Sequence, residues 1–276
     1  MRYPGNHREL HPGEASISAV EASITVALTW AERVDRKAAP VRQRFVMRLS
    51  PEAEPPPLAQ LMRGGRGGEV KLKVYLSLLW AAVAEPYDVS LPGRVWAQLI
   101  GLPDPAGRGA HRVNSAFRTL VDSQLLRAKS QPGLPSRFFL LEETGTGRAY
   151  QPPGGRLVAL KKAGKDFSDH IYLQVPATLW THGWIARLSG PGLAMLLVLI
   201  AQAGGRNPED LWFSPGVADQ RFHLSAETRK RGLDQLVELG LTTVGRRPIA
   251  RSVLDSTRLR NTYTLKLARL DEFAPQ

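Results

Sequence analysis

The chain has no cysteine among its 276 residues. Disulfide bonds, thiolate catalysis and cysteine-ligated zinc sites are therefore excluded together. Long apolar runs are also missing, because the longest, Leu193 to Ala201, is too short to span a bilayer and predicts a buried core helix instead. No apolar segment follows Arg2, Arg8 and Glu9, so a secretory signal is not expected and we expect a cytoplasmic protein.

Sequence signatures of catalysis are absent as well. Lys161 to Ser168 contains a Gly-Lys pair, but Asp166 stands where a phosphate-binding loop needs Ser or Thr. The six histidines show no spacing typical of metal ligands, and the acidic residues form no compact pair suited to acid–base or two-metal chemistry. We therefore expect no enzyme activity, no cofactor and no bound metal.

Acidic residues are in short supply. The chain has 25 Asp and Glu against 37 Lys and Arg, which gives a net charge of +12 and an isoelectric point near 10.4. Such a charge attracts nucleic acid or an anionic membrane without specifying a fold. Since no segment suits a membrane, double-stranded DNA is the expected partner.

The most informative segment runs from Leu224 to Leu241. Ser225 is placed to cap a helix in which Leu233, Leu236, Val237 and Gly240 recur at helical spacing and predict a buried stripe. The opposite face is then basic and rich in hydrogen-bonding groups, which suits phosphates and base edges. On this face and its shoulders we place Thr228, Arg229, Lys230, Arg231 and Gln235.

A copy of this pattern lies 116 residues upstream, where Phe117 takes the place of Leu233 and Leu120 that of Leu236. Its outward positions carry less charge, so it is the weaker copy. For either helix, an ordinary amphipathic surface helix remains the alternative. The candidate DNA-binding residues on the upstream copy, beside His111, are Arg112, Ser115, Arg118 and Thr119.

Each of these helices is followed by two predicted short strands. In the first unit the strands are Leu125 to Ala128 and Arg137 to Leu141, around a Pro-Gly turn. In the second they are Leu241 to Val244 and Asn261 to Leu267, and the loop between them is basic. Minor-groove or phosphate contact would explain these charges, with a solvated loop as the alternative. The arginines of this second hairpin are Arg246, Arg247, Arg251, Arg258 and Arg260.

The order helix, helix, helix, hairpin indicates a winged helix. We expect a mainly α chain with small β-wings (α+β), containing two winged helix-turn-helix domains in tandem over residues 69–143 and 169–270. A basic linker, 144–168, would join them. Residues 1–66 are predicted to be a flexible extension with one amphipathic helix from Ile17 to Ala31, which could dock on a domain or on the second subunit of a homodimer.

In element order, residues 69 to 270 resemble the tandem winged-helix replication initiators of bacterial plasmids. The second unit, with LxELGL at the end of its helix, also looks like bacterial winged-helix transcription regulators of the multiple-antibiotic-resistance type. These resemblances imply sequence-specific duplex binding in replication initiation or transcription control. The outward helix faces would read the DNA and the arginines of the second hairpin would position it. The alternative from another class is a protein-docking module whose basic charge is incidental.

Overall fold

The computed structural model describes residues 17–63, 67–204, 208–248 and 259–275. Over these ranges the chain combines α-helices with three small antiparallel sheets, which agrees with the expected α+β class. No helix in the described ranges is both long enough and apolar enough to cross a membrane.

The N-terminal region is folded against the rest of the chain, in contrast to the flexible extension predicted for residues 1–66. A strand near its middle pairs antiparallel with a strand of the second unit, with Ala39 opposite Val175. Val41, Phe45 and Leu58 are fully buried. Of the extension, residues 1–16 and 64–66 lie outside the described ranges. The elements of this region are α1 (Ile17–Val34), β1 (Ala38–Arg42), α2 (Gln43–Val46) and α3 (Pro57–Met62).

The first unit has the predicted order of elements. Its long first helix is buried on nearly all sides and ends before Pro86, and its third helix packs across the first. The hairpin that follows is joined by one further short strand, giving a three-stranded sheet in the order β2-β4-β3. The elements are α4 (Gly68–Ala81), β2 (Asp88–Val89), α5 (Gly93–Leu99), α6 (Ala110–Asp122), β3 (Leu126–Gln131) and β4 (Leu134–Leu140).

The expected linker contains a helix, and two residues at or just before its start are buried. Glu143 and Tyr150 are inaccessible or nearly so, while the helix itself, α7 (Pro153–Lys162), is largely exposed. The burial follows from pairing that composition does not reveal, because Leu141 and Ala149 form a β-bridge and Glu142 N donates to Arg148 O over 2.9 Å. The start of the stretch is therefore attached to the fold, whereas residues 154–168 are mostly exposed.

The second unit repeats the order of the first. A long apolar helix is followed by a single bridge between Leu211 and Tyr263, then by two helices and a hairpin. The bridge occupies the place that β2 has in the first unit. The elements are β5 (Tyr172–Pro176), α8 (Thr178–Thr181), α9 (Trp184–Arg187), α10 (Gly190–Ala203), α11 (Pro215–Phe222), α12 (Ala226–Glu238), β6 (Thr242–Pro248) and β7 (Leu259–Leu265).

The two units share one core. Trp80 of α4 stacks on Trp180 of α8 with ring centroids 4.9 Å apart, and Trp180 Nε1 donates to Ser77 Oγ over 2.9 Å. At the other end of α4, Glu69 Oε2 accepts from Gly190 N over 3.0 Å and so caps the first turn of α10. The two units are therefore joined by direct packing as well as by the basic linker that the sequence predicts.

Candidate nucleic-acid interface

The exposed face of α6 carries the residues that the sequence predicts. Arg112, Ser115 and Arg118 are exposed, and Thr119 is half-buried with its hydroxyl donating to Ser115 O over 3.2 Å. The opposite face is held by aromatic packing, in which Phe117 stacks on Phe138 with centroids 3.8 Å apart. This packing fixes the rotation of α6 about its axis, so the polar face is presented outward.

The two arginines of this face are uncompensated within the described part of the chain. Neither Arg112 nor Arg118 forms an ion pair there, and Asp122, at the far end of α6, is the one acidic residue of the helix. Unpaired guanidinium groups on a helix retain their full capacity to bind phosphate oxygens or guanine. The face is thus electrostatically open to an anionic partner.

The β3–β4 hairpin extends this basic surface, and sequence reasoning overlooked its charged residues. Lys129 lies directly opposite Arg137, and Arg127 places its guanidinium 4.0 Å above the ring of Phe139. Arg137 pairs with Asp88 over 3.0 Å, but no acidic residue lies within the hairpin. Like charges opposite each other destabilise a strand pair, so the arrangement favours an external anion. Alternating basic residues beside a Pro-Gly turn were the available signal.

The exposed face of α12 differs from the prediction at Arg229 and Gln235. Arg229 is 8% exposed, and its guanidinium donates to the Asp219 carboxylate and the Leu224 carbonyl. Gln235 Oε1 accepts from Ser189 N over 3.0 Å and from Ser189 Oγ over 2.7 Å. Their placement on the outward face and its shoulders was therefore wrong, since both side chains hold neighbouring segments of the fold.

Arg229 and Gln235 differ from the prediction because α12 is rotated about its axis relative to the predicted stripe of apolar residues. A Cβ at Gly232 would lie 2.3 Å from Pro191 O, so α10 approaches α12 most closely at this glycine. The buried side is therefore centred on Gly232, Leu233 and Leu236, while Val237, predicted to be in the core, is 39% exposed. An analysis of apolar side chains alone cannot place the centre at a glycine.

The outward residues of α12 are charge-compensated. Lys230 Nζ lies 3.0 Å from Asp234 Oδ2, and Arg231 Nε lies 4.0 Å from Glu227 Oε1. Thr228 is half-buried, and its amide donates to Ser225 Oγ over 3.1 Å, which confirms the predicted helix cap.

The two helices, α6 and α12, differ in the charged residues that they expose. On α12 these are two cations and three anions, because Glu238 adds to Glu227 and Asp234; on α6 they are two cations and one anion, Asp122. The helix that the sequence ranks as the weaker copy therefore presents the more positive face. Ion pairing along α12 is what lowers the charge it offers to a partner.

The second hairpin is also partly engaged within the chain. Arg247 Nε donates to Asp210 Oδ1 over 3.1 Å, and this bond holds the pKa of Asp210 below its usual value. Arg260 lies 3.9 Å above the ring of Trp212. Arg246 is exposed, whereas Arg251 and Arg258 lie outside the described residues. Of the described arginines of this hairpin, Arg246 is the one that is both exposed and without an ion pair, as Arg112 and Arg118 of α6 are.

Within the described ranges, no three His, Asp or Glu side chains come close enough together to hold a metal ion. A scan against protein-family models finds no match, and searches of the curated proteins and of the solved structures find none either.

Proposed function

We propose that the chain is a sequence-specific double-stranded DNA-binding protein built on two winged helix-turn-helix units in tandem. The observation that carries the proposal is the exposed face of α6, where Arg112 and Arg118 lack ion-pair partners among the described residues and where the basic β3–β4 hairpin continues the surface. An α-helix fits the width of the major groove of B-DNA, and the hairpin beside it would contact the backbone.

The first unit supplies most of the affinity in this proposal. Its helix and hairpin offer cations that no carboxylate within either element neutralises, apart from Asp122 at the helix end. The second unit contributes through Arg246 and through those residues of α12 that stay accessible, Lys230 and Arg231. This division reverses the expectation from sequence, in which the second unit dominates.

The biological role that fits such a protein is transcription control or the initiation of plasmid-type replication in a bacterial cytoplasm, without catalysis and without a cofactor. A homodimer on a repeated site is compatible with it. Selecting bound fragments from a random duplex library and footprinting the complex tests the proposal. We expect a defined motif, a footprint that includes a major-groove segment under α6, and affinity that falls steeply with salt. Equal, salt-insensitive binding to all duplexes would contradict it.

A second function, protein docking, is favoured at one place. The cations on the exposed face of α12 are already paired with carboxylates, and the same helix exposes an apolar side chain, Val237, which is 39% exposed, so this face offers less to phosphates than α6 does. In this alternative the second unit is a docking surface, while α6 keeps its DNA contact or loses it. Two results would support it: a DNA footprint that the first unit alone accounts for, and binding of a protein partner that is lost in Val237→Asp.

A further inference from the structure

A concave basic site lies apart from the α6 and hairpin surfaces. It is a cavity of about 470 Å³ formed where three segments of the chain meet. The first segment is the end of β1 with the start of α2, the second is the stretch 142–151, and the third is α7 with the short turn Ser168–His170. A recess of this volume falls within the range of small-molecule sites in proteins.

Four guanidinium groups line the cavity, and two of them are committed to partners. Arg42 is 1% exposed, pairs with the buried Glu143 carboxylate and donates from Nη2 to Gln151 O over 2.6 Å. Arg44 Nη1 lies 2.8 Å from Asp169 Oδ1. These pairs hold the walls together, so they build the site more than they offer charge to a ligand.

The other two guanidinium groups offer charge to a ligand. Arg148 reaches Glu142 only at 4.0 Å, a carboxylate it shares with Arg42 at 3.7 Å, and its side chain is 73% exposed. Arg156, on α7, is exposed and forms no ion pair among the described residues. Two cations from different segments thus line the recess, and a concave wall concentrates their field.

Hydrogen-bonding groups complete the lining. Thr144 Oγ1 and Thr146 Oγ1 lie 2.9 Å apart and bond to each other, which leaves one of the two hydroxyls with a proton to donate to a ligand. His170 Nδ1 is shielded from solvent and has no hydrogen-bond partner in the described part of the chain. Partial burial lowers the pKa of His170, and Arg42 and Arg156 lower it further.

We propose that this cavity binds a small, multiply charged anion of the phosphate class, held by Arg148 and Arg156 with a hydrogen bond from the Thr144 and Thr146 pair, and with His170 in the wall beside it. The phosphate oxygens could belong to a free small molecule or to a DNA backbone. The recessed shape favours the free molecule, because a terminal phosphate or pyrophosphate carries more charge than a phosphodiester and can enter between the walls. The site is independent of DNA binding by α6.

Inorganic pyrophosphate is the probe, titrated by calorimetry into the full chain at low salt. We expect saturable binding of one equivalent, about tenfold weaker in Arg156→Gln and in Arg148→Gln, since each loses a charge-assisted hydrogen bond. Lys162→Gln is the matched control, because Lys162 is exposed on the same helix and does not line the cavity. It should bind as the unchanged chain does.

A second readout follows the His170 ring by NMR. Bound pyrophosphate should raise the pKa of His170, because it adds negative charge beside a ring that two guanidinium groups now hold down. Absence of saturable binding, equal losses in Arg156→Gln and Lys162→Gln, or an unmoved His170 pKa would each overturn the proposal. So would a result in which Arg156→Gln weakens duplex binding while pyrophosphate fails to bind, because the cavity would then serve the DNA backbone.

Discussion

Replacing the two unpaired arginines of α6 gives the sharpest test of the proposed interface. The variant is Arg112→Gln with Arg118→Gln, which removes two charges and keeps most of each side chain. Both residues are exposed and neither forms an ion pair in the described ranges, so each is free to neutralise one phosphate in the proposed complex. Stability should hardly change, since exposed substitutions usually fall within about 0.5 kcal/mol.

The expected magnitude follows from counterion release. Each phosphate contact contributes about 0.9 to the slope of log affinity against log salt, so losing two should reduce the slope by about 1.8. Between roughly 50 and 200 mM salt the unchanged chain should then lose about ten times more affinity than the variant. At low salt the variant itself should bind roughly tenfold more weakly for each arginine removed.

The matched control is the equivalent pair on α12, Lys230→Gln with Arg231→Gln. These cations already lie 3.0 Å and 4.0 Å from carboxylates of their own helix. Their removal should reduce the salt slope by clearly less than the α6 variant does, because each of these cations is already paired with a carboxylate of its own helix and neutralises less phosphate charge. Fluorescence anisotropy on one duplex, over a series of salt concentrations, measures both variants. A larger slope change in the α12 variant would refute the assignment of the main contact to the first unit.

Three further predictions concern the fold that supports the interface. Gln235→Ala should destabilise the chain by about 1 kcal/mol, through the lost bonds to Ser189, and leave the selected DNA motif unchanged; a changed motif would return Gln235 to a reading role. Gly232→Ala should cost about 1–3 kcal/mol in chemical denaturation, because its Cβ would lie 2.3 Å from Pro191 O, and an unaffected midpoint would contradict the close approach. Burial raises the pKa of Glu69, but its basic and amide neighbours lower it more, so the pKa in the folded chain lies below the unfolded value of about 4.3. The ionised Glu69 therefore stabilises the fold above that unfolded pKa. This stabilisation is lost as the pH falls through the lowered pKa of the folded chain. The difference in unfolding free energy between the unchanged chain and Glu69→Gln, about 1 kcal/mol near neutral pH after allowance for partial exposure, should therefore shrink below about pH 4.

The orientation of α6 could be predicted from sequence because its buried side consists of large apolar residues at helical spacing. Val113, Phe117 and Leu120 fall on one side, and the outward positions follow from them. The same method misplaced α12, where the closest approach is made by Gly232 and where a charged side chain, Arg229, is buried. Its partner Asp219 lies on the preceding helix, so only the packing of α11 against α12 reveals the pair.

The predicted amphipathic helix is present as α1 and packs on α5 and α8, but the rest of the N-terminal region escaped prediction for a related reason. Its composition, with a proline cluster and glycine repeats, is typical of a linker, yet β1 finds a pairing strand far along the chain, with Val41 opposite Leu173. A strand of this length gains its stability from the partner and not from its own propensity. The cluster from Pro55 to Pro57 likewise starts α3, where a proline in the first turn removes an amide that would have no partner in the helix.

The junction between the units changes how two-site binding would work. A flexible tether would give the second contact a millimolar-scale effective concentration over a range of spacings. Here Glu69 of the first unit holds Gly190, while Gln235 of α12 holds the adjacent Ser189. α6 packs on α4, the helix that carries Glu69. The proposed reading helices are thus both connected to α10, α12 directly and α6 through α4. In the proposed complex the distance between the two contacts is therefore fixed by the protein, and any difference in spacing must be met by deforming the DNA.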